Sequence, residues 1–417
     1  MREKLRKLKS AWKKYGLRDF IHKLRLYWQS RLIDRLDVRP LLHYSRSRRI
    51  LREMLHGACE RVIVWRSSFG YAVPLFQRPQ HIARELAKSG SLVVYEVSRM
   101  TDACRFPRQA EPGLWLFPMQ NLFFRFMLMR ELRRSPLRKY LQFYSTDWQL
   151  CARDLRAYQN AGFALIYEYV DHLDGALSGT GQIPKNVQEK FDFVMSDERV
   201  LVVATSRALY EDASRRRGGT KRLVLSTNGV DYDFFQRFEP FCFEPAFQRI
   251  LDLGKPIVCY YGALASWFDY ELARKIAATD RYSLVLIGIK YDDSFDRELR
   301  NVENVFFLGP RDYRVLKYYA RAADVLVIPF LLNALTEATN PVKLFEYMAL
   351  HKPIVTTALR ECRQYRSVLL ADSHDDFLQK LDQALLLRND ARLLSLLDKE
   401  ARDNDWSKKA KIILDHL

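Results

Sequence analysis

Residues 336 to 357 read TEATNPVKLFEYMALHKPIVTT. Asn340 is a good N-cap and Pro341 falls at the first helical position, where its missing N–H is harmless, so a helix is expected to start there. Leu344, Phe345, Met348 and Ala349 form its apolar side, and Lys343 and Glu346, three residues apart, share another face. The segment KPIVTT that follows is a short apolar strand. A cation near the dipole-positive helix start and an acceptor-only carboxylate one turn further on suit a ligand with both phosphate and vicinal hydroxyls, as a nucleotide sugar has. The plain alternative is an exposed ion pair worth about 0.2–0.5 kcal/mol.

Outward from this stretch the same alternation recurs. Upstream stand KPIVCYYG (255–262), a strand; SWFDYELARKIAAT (266–279), a helix; YSLVLIG (282–288) and NVFFLG (304–309), strands; YRVLKYYARAA (313–323), a helix; and DVLVIPF (324–330), a strand. Earlier, RVIVWRSS (61–68), QRPQHIARELAKSG (77–90) and SLVVYEVS (91–98) form a strand–helix–strand unit whose helix has proline in its first turn and glycine past its end. FALIYEYVD (163–171), LVVATS (201–206) and RLVLSTNGVD (222–231) are further strands. Two α/β domains of Rossmann-like, doubly wound type are therefore expected, at 58–235 and 250–402, joined by an aperiodic Phe- and Pro-rich connection over 232–255. A basic helical extension (1–57) precedes them, and a helix over 403–417 can pack back on the first domain.

At 417 residues, 48% hydrophobic and 28% charged, the chain can bury two cores and is not disordered. Six scattered cysteines make neither a disulfide framework nor a zinc site, and no run of about 18 apolar residues or signal peptide is present, so a reducing, cytoplasmic setting is expected. The net charge of +18 is concentrated at the start, with 17 Lys and Arg against 5 Asp and Glu in residues 1–56. Leu5, Leu8, Trp12 and Tyr15, then Leu17, Ile21, Leu24 and Trp28, give two basic amphipathic helices. These suit an anionic membrane surface, an arm packed on the globule, or nucleic acid, although no nucleic-acid module is recognisable. Residues 121–140, NLFFRFMLMRELRRSPLRKY, are either a hydrophobic wedge ringed by arginines for lipid headgroups or a core helix with a basic outer face.

The run NPVKLFEYMALHKPIVTT resembles the donor-site motif of GT-B fold glycosyltransferases, particularly the bacterial glycosyltransferase 4 family (glycosyl transferases group 1). QRPQHIARELA, TNGVDYDFF, YYGALASWFD and NVFFLGPRDYRVLKYYARAADVLVIPF extend the resemblance over most of residues 61–417. It implies two domains facing a cleft, with Glu346 on the donor ribose, Lys343 near the diphosphate and Gly262 letting backbone amides approach the phosphates. The loop Gly309 to Asp312 would border the base, and Thr339, Asn340 and Pro341 would face the transferred sugar. Two features depart from the family: Ala338 stands where an upstream glutamate is usual, with Glu337 one place off, and GALASWFD lacks the basic pair that follows the glycine loop. Arg78 or Arg311 is then expected to help Lys343 neutralise phosphate.

In YVDHLDGAL, Asp171, His172 and Asp174 follow a strand and are candidates to orient or deprotonate an acceptor hydroxyl, or else helix caps. Arg78 and His81, at a helix start, are candidates for the same cleft. Asp231–Tyr232–Asp233 has the form of a DxD metal motif but is read as a turn, and no metal or cofactor is required. The resemblance implies transfer of a sugar from a nucleotide-sugar donor to a lipid-linked or polysaccharide acceptor, of retaining type, in cell-envelope or exopolysaccharide synthesis. The chain would sit peripherally at the inner face of the membrane, through residues 1–56 and 121–140. A non-catalytic nucleotide or glycan binder on the same scaffold and a basic nucleic-acid-binding protein are the competing readings.

Overall fold

The apolar runs of the first half become β1 (Arg61–Arg66), β2 (Leu92–Glu96), β3 (Arg108–Glu111), β4 (Leu114–Phe117), β5 (Arg138–Tyr144), β6 (Phe163–Tyr169), β7 (Leu201–Ala204) and β8 (Leu223–Leu225). The computed structural model describes residues 34–57, 59–66, 70–73, 76–97, 102–147, 149–173 and 183–417. Strand order is β3-β4-β2-β1-β5-β6-β7-β8. Val62, Ile63, Val64 and Trp65 of β1 are fully buried, as expected of a parallel strand covered on both faces. The antiparallel β3–β4 hairpin was not anticipated: β3 is only partly buried and carries no apolar run, and Gly113 makes the turn at φ +75°.

The second half forms β9 (Ile257–Tyr261), β10 (Ser283–Ile287), β11 (Val305–Gly309), β12 (Val325–Ile328), β13 (Ile354–Thr357) and β14 (Val368–Ala371), in the order β11-β10-β9-β12-β13-β14 with every neighbouring pair parallel. This is the doubly wound order, and it reverses between β9 and β12. At such a switch point the two crossover connections leave in opposite directions, opening a crevice at the carboxyl ends of the strands. The helices Tyr270–Ala278, Ser294–Glu298, Tyr313–Ala322 and Val342–Ala349 lie in its crossovers, and His374–Leu387 follows the last strand.

Residues 232–255 are not the irregular connection expected from their lack of periodicity. They hold two short helices, Tyr232–Gln236 and Pro245–Asp252, which bury Phe235, Phe247 and Ile250 in the core of the second sheet. Five and eight residues are too few to show a helical period in sequence. The C-terminal helix Trp406–Leu414 packs on β8: Trp406 N–H donates to Val230 O at 3.0 Å and Ser226 Oγ donates to Lys409 O at 3.1 Å.

By spatial contacts the described residues divide into two compact units, those of Met1–Val73, Leu86–Phe143 and Arg153–Leu165, and those of Pro74–Glu85, Tyr144–Ala152 and Ile166–Leu417. The helices expected over Leu5–Tyr15 and Leu17–Trp28 lie outside the described residues. Of the 121–140 stretch, Leu122–Arg134 is a helix capped by Asn121, and Arg138 and Lys139 already belong to β5. Phe124, Met127, Leu128 and Leu132 enter the core of the first unit, while Phe126 is 67% exposed. Beside it Tyr44 meets Phe123 edge-on, and Leu41 and Leu42 on the helix Arg39–Leu42 are 54% and 73% exposed. No helix among the described residues is long and apolar enough to cross a membrane.

Candidate functional site

The ends of β9, β10 and β11 carry Gly262, Gly288 and Gly309. At Gly288 (φ +149°) a Cβ would lie 1.8 Å from Gly262 O, so only glycine lets these two strand ends touch. At Gly262 (φ +143°) a Cβ would meet Lys343 Cε at 2.9 Å and Nζ at 3.0 Å. The Gly262 N–H itself donates to Ile287 O at 2.9 Å, and the missing Cβ leaves room for the Lys343 ammonium.

Lys343 and Glu346 project from the helix Val342–Ala349, which follows β12. Asn340 does not cap it. The cap position is Pro341, without a side-chain hydrogen bond, because the Asn340 side chain is engaged elsewhere: its Oδ1 accepts the Asn228 N–H at 3.0 Å and its Nδ2 donates to Glu361 at 3.3 Å. Asn228 Nδ2 donates in return to Asn340 O at 2.6 Å. Thr339 is likewise turned inward, its hydroxyl donating to Leu335 O at 2.8 Å and its N–H to Thr336 O at 3.1 Å.

Lys343 Nζ lies 5.0 Å from the Tyr260 ring centroid and 4.9 Å from that of Phe330, and has no hydrogen bond or ion pair among the described residues. Burial between the two rings pushes its pKa down to about 8. Glu346 is 3% exposed; its Oε2 accepts the Tyr261 hydroxyl at 2.6 Å and its Oε1 the Tyr313 hydroxyl at 3.1 Å. Burial raises its pKa, with the two hydroxyls and Lys343 opposing the rise.

The other expected cations are already paired. Arg78, 4% exposed, donates to Glu168 at 2.9 Å and Thr227 O at 3.0 Å, with Ser226 Oγ at 3.4 Å. Arg311 pairs with Glu244 and donates to the carbonyl of Leu308, folding back over the Gly309 loop. His81 is buried and stacks on Trp406 at 5.0 Å. Lys343 is thus the expected phosphate partner whose charge is not committed within the fold.

Asp171 and His172 follow β6 and are partly exposed. Asp171 has no hydrogen bond or ion pair among the described residues, and burial pushes its carboxyl up to about 6. The structure brings neither residue into contact with Lys343 or Glu346, and Asp174 lies outside the described residues. Asp231 caps the helix Tyr232–Gln236, accepting Phe234 N–H at 3.1 Å, and is 3.5 Å from Arg84; it is an N-cap rather than the expected turn. Sequence reasoning missed Tyr261, Tyr313, Gly288 and Asn228. Tyr261 and Gly288 stand at strand ends, where a site at a switch point gathers its residues.

Residues 255–386 match the family model described as Glycosyl transferases group 1. A Bacillus subtilis (strain 168) protein named as the teichuronic acid biosynthesis glycosyltransferase TuaH is 22% identical over 259 residues, 58% of this chain and 64% of that protein. The chain therefore spans just under two thirds of that relative's length. Among solved structures, sucrose-phosphate synthase from Thermosynechococcus elongatus superposes with a TM-score of 0.56 at 16% identity, covering 85% of this chain and 98% of that one. Anabaena HepE in complex with UDP gives 0.57 at 14% identity, covering 85% and 98%. Likeness at this level establishes the GT-B fold, two parallel-sheet α/β halves.

Proposed function

We propose that this chain, with a GT-B fold and a glycosyl transferases group 1 match over residues 255–386, is a glycosyltransferase. It moves a sugar from a nucleotide-diphosphate sugar to a lipid-linked or polysaccharide acceptor in cell-envelope or exopolysaccharide synthesis. The observation that carries this reading is the pair on the Val342–Ala349 helix at the switch point: an uncommitted ammonium against the glycine strand ends, and a carboxylate one turn on. The role named for the Bacillus relative and the UDP held by the Anabaena protein support it.

In this reaction the bond from the anomeric carbon to the diphosphate breaks, and the negative charge that develops on the departing phosphate is what the protein must stabilise. Lys343 faces that charge, and Glu346 positions the donor through its ribose. The transfer is of retaining type, with no protein nucleophile assigned, and Asp171 or His172 orients the acceptor hydroxyl. No cofactor is required.

Thermal unfolding with a panel of nucleotides tests the reading. UDP or GDP raises Tm, Glu346→Ala abolishes the rise, and the matching nucleotide sugar is slowly hydrolysed. Absence of any response to every nucleotide and nucleotide sugar sinks the reading; binding without turnover, even with acceptor lipids present, favours a non-catalytic binder.

The same reading places the protein peripherally at the inner face of a membrane. Phe126, Leu41 and Leu42 are exposed large apolar side chains on two touching helices of the first unit, and the helix of Phe126 also carries Arg125 and Arg133. An anionic bilayer complements such a face, each basic residue near it adding roughly 1 kcal/mol. Phe126→Asp with Leu42→Asp should release the protein from phosphatidylglycerol vesicles; equal sedimentation of variant and parent, or salt-sensitive binding to RNA alone, rejects the placement.

A further inference from the structure

Glu346 is walled off by tyrosines. Tyr261, on β9, is 4% exposed and locked edge-on against Tyr347 at 4.9 Å, and its hydroxyl makes the shorter bond to the carboxylate, 2.6 Å. Tyr313 differs in every respect. It is partly exposed, begins a helix directly after the Gly309–Asp312 loop, and makes the longer bond, 3.1 Å. Its ring lies parallel to Phe234 (5.1 Å, 10°) and nearly so to Phe76 (5.7 Å, 28°), a stack that holds the hydroxyl over Glu346.

A carboxylate oxygen accepts more than one hydrogen bond, but Glu346 is only 3% exposed, so with both tyrosines in place little of it is open to a diol. One tyrosine must yield, and the packing singles out the one at the mouth. We propose that Tyr313 is a latch on the donor site: its hydroxyl occupies the Glu346 oxygen that a nucleotide's ribose hydroxyl must take, and donor binding displaces it while Tyr261 stays to orient the carboxylate. The latch rests on the glycosyltransferase reading above and deepens it, because it assigns what controls access to the ribose subsite. Removing the hydroxyl removes a competing donor and leaves the buried carboxylate short of one partner, so the ribose gains by the bond it no longer has to replace.

The test is calorimetric titration of UDP and GDP, and of their 2′,3′-dideoxy analogues, into the full chain carrying Tyr313→Phe, which keeps the ring and its stack. The variant binds the ribonucleotide roughly tenfold tighter than the parent, and the dideoxy analogue with unchanged affinity. Phe234→Leu, which loosens the stack without touching the carboxylate, gives a smaller gain in the same direction. Unchanged or weaker ribonucleotide binding by Tyr313→Phe overturns the latch while leaving the glycosyltransferase reading standing. Binding by neither parent nor variants overturns both, and binding by the variant alone upholds both.

Discussion

Two helix starts carry a proline and a cation, Arg78–Pro79 and Pro341–Val342–Lys343, and both cations were expected to neutralise phosphate. The fold treats them oppositely. Arg78 is 4% exposed and joined to Glu168, which is fully buried, so its charge is a strut between a helix start and β6. Lys343 rests between two rings against a glycine and has no anionic contact among the described residues. The lesson is that spacing in sequence locates a cation relative to its helix, whereas whether the charge is available depends on what distant strands bring to it. Glu168 is 90 residues from Arg78.

The sharpest break of this contrast is Arg78→Met. It takes the guanidinium away from the buried Glu168 carboxylate, and removing one partner of a buried ion pair typically costs about 3–5 kcal/mol. Urea unfolding of the variant should show that loss, and its failure to appear would mean that Arg78 is not the strut its contacts describe. Lys343→Met should do the reverse, changing stability by less than about 1 kcal/mol, since only cation–π contacts go, while weakening UDP or GDP binding by about 10- to 100-fold.

A pH series sharpens the same point. Burial lowers the Lys343 pKa to about 8, so the neutral amine is favoured in the fold and the site's positive charge fades as pH rises through that value. Nucleotide affinity in the parent should therefore decline above about pH 8, with bound diphosphate holding the proton and moving the midpoint upward. In Lys343→Met the affinity should be low and flat over that range. A parallel decline in parent and variant would assign the titration to another group.

Much of the fold was legible because buried parallel strands are continuous apolar runs and their crossovers have helical period. The βαβ segments around β1, β2, β9 and β12 all appeared where expected. The hairpin β3–β4 did not declare itself, since β3 is polar and only partly buried, and the helices at 232–236 and 245–252 are too short for a period to register. At the site, Lys343 and Glu346 could be placed on one helix from spacing alone, and Gly262 was marked for closeness to a ligand. Its actual neighbour is a lysine from 81 positions on, and the partners of Glu346 come from 85 and 33 positions away. Helical and strand periods are local, so contacts over those separations leave no trace in them.

Asp171 offers the smallest and most discriminating measurement, because unlike Glu346 it has no donor around it among the described residues. Its carboxyl is pushed up to about 6 by burial. A raised carboxyl pKa means that the charged form is disfavoured in the fold, so the destabilisation is absent below the ordinary carboxylate range and fully developed above about 6. Asp171→Asn should then stabilise the fold at neutral pH, by something of the order of 1 kcal/mol given its partial exposure, so that Tm rises, and the gain should vanish as pH falls toward 4. If Asp171 also takes the acceptor's proton, the transfer rate of the parent climbs as pH passes through about 6, where the base becomes charged, and the variant loses that limb. A Tm gain with an unaltered rate profile would make Asp171 a tolerated burial rather than the acceptor's base, and would pass that role to His172 beside it.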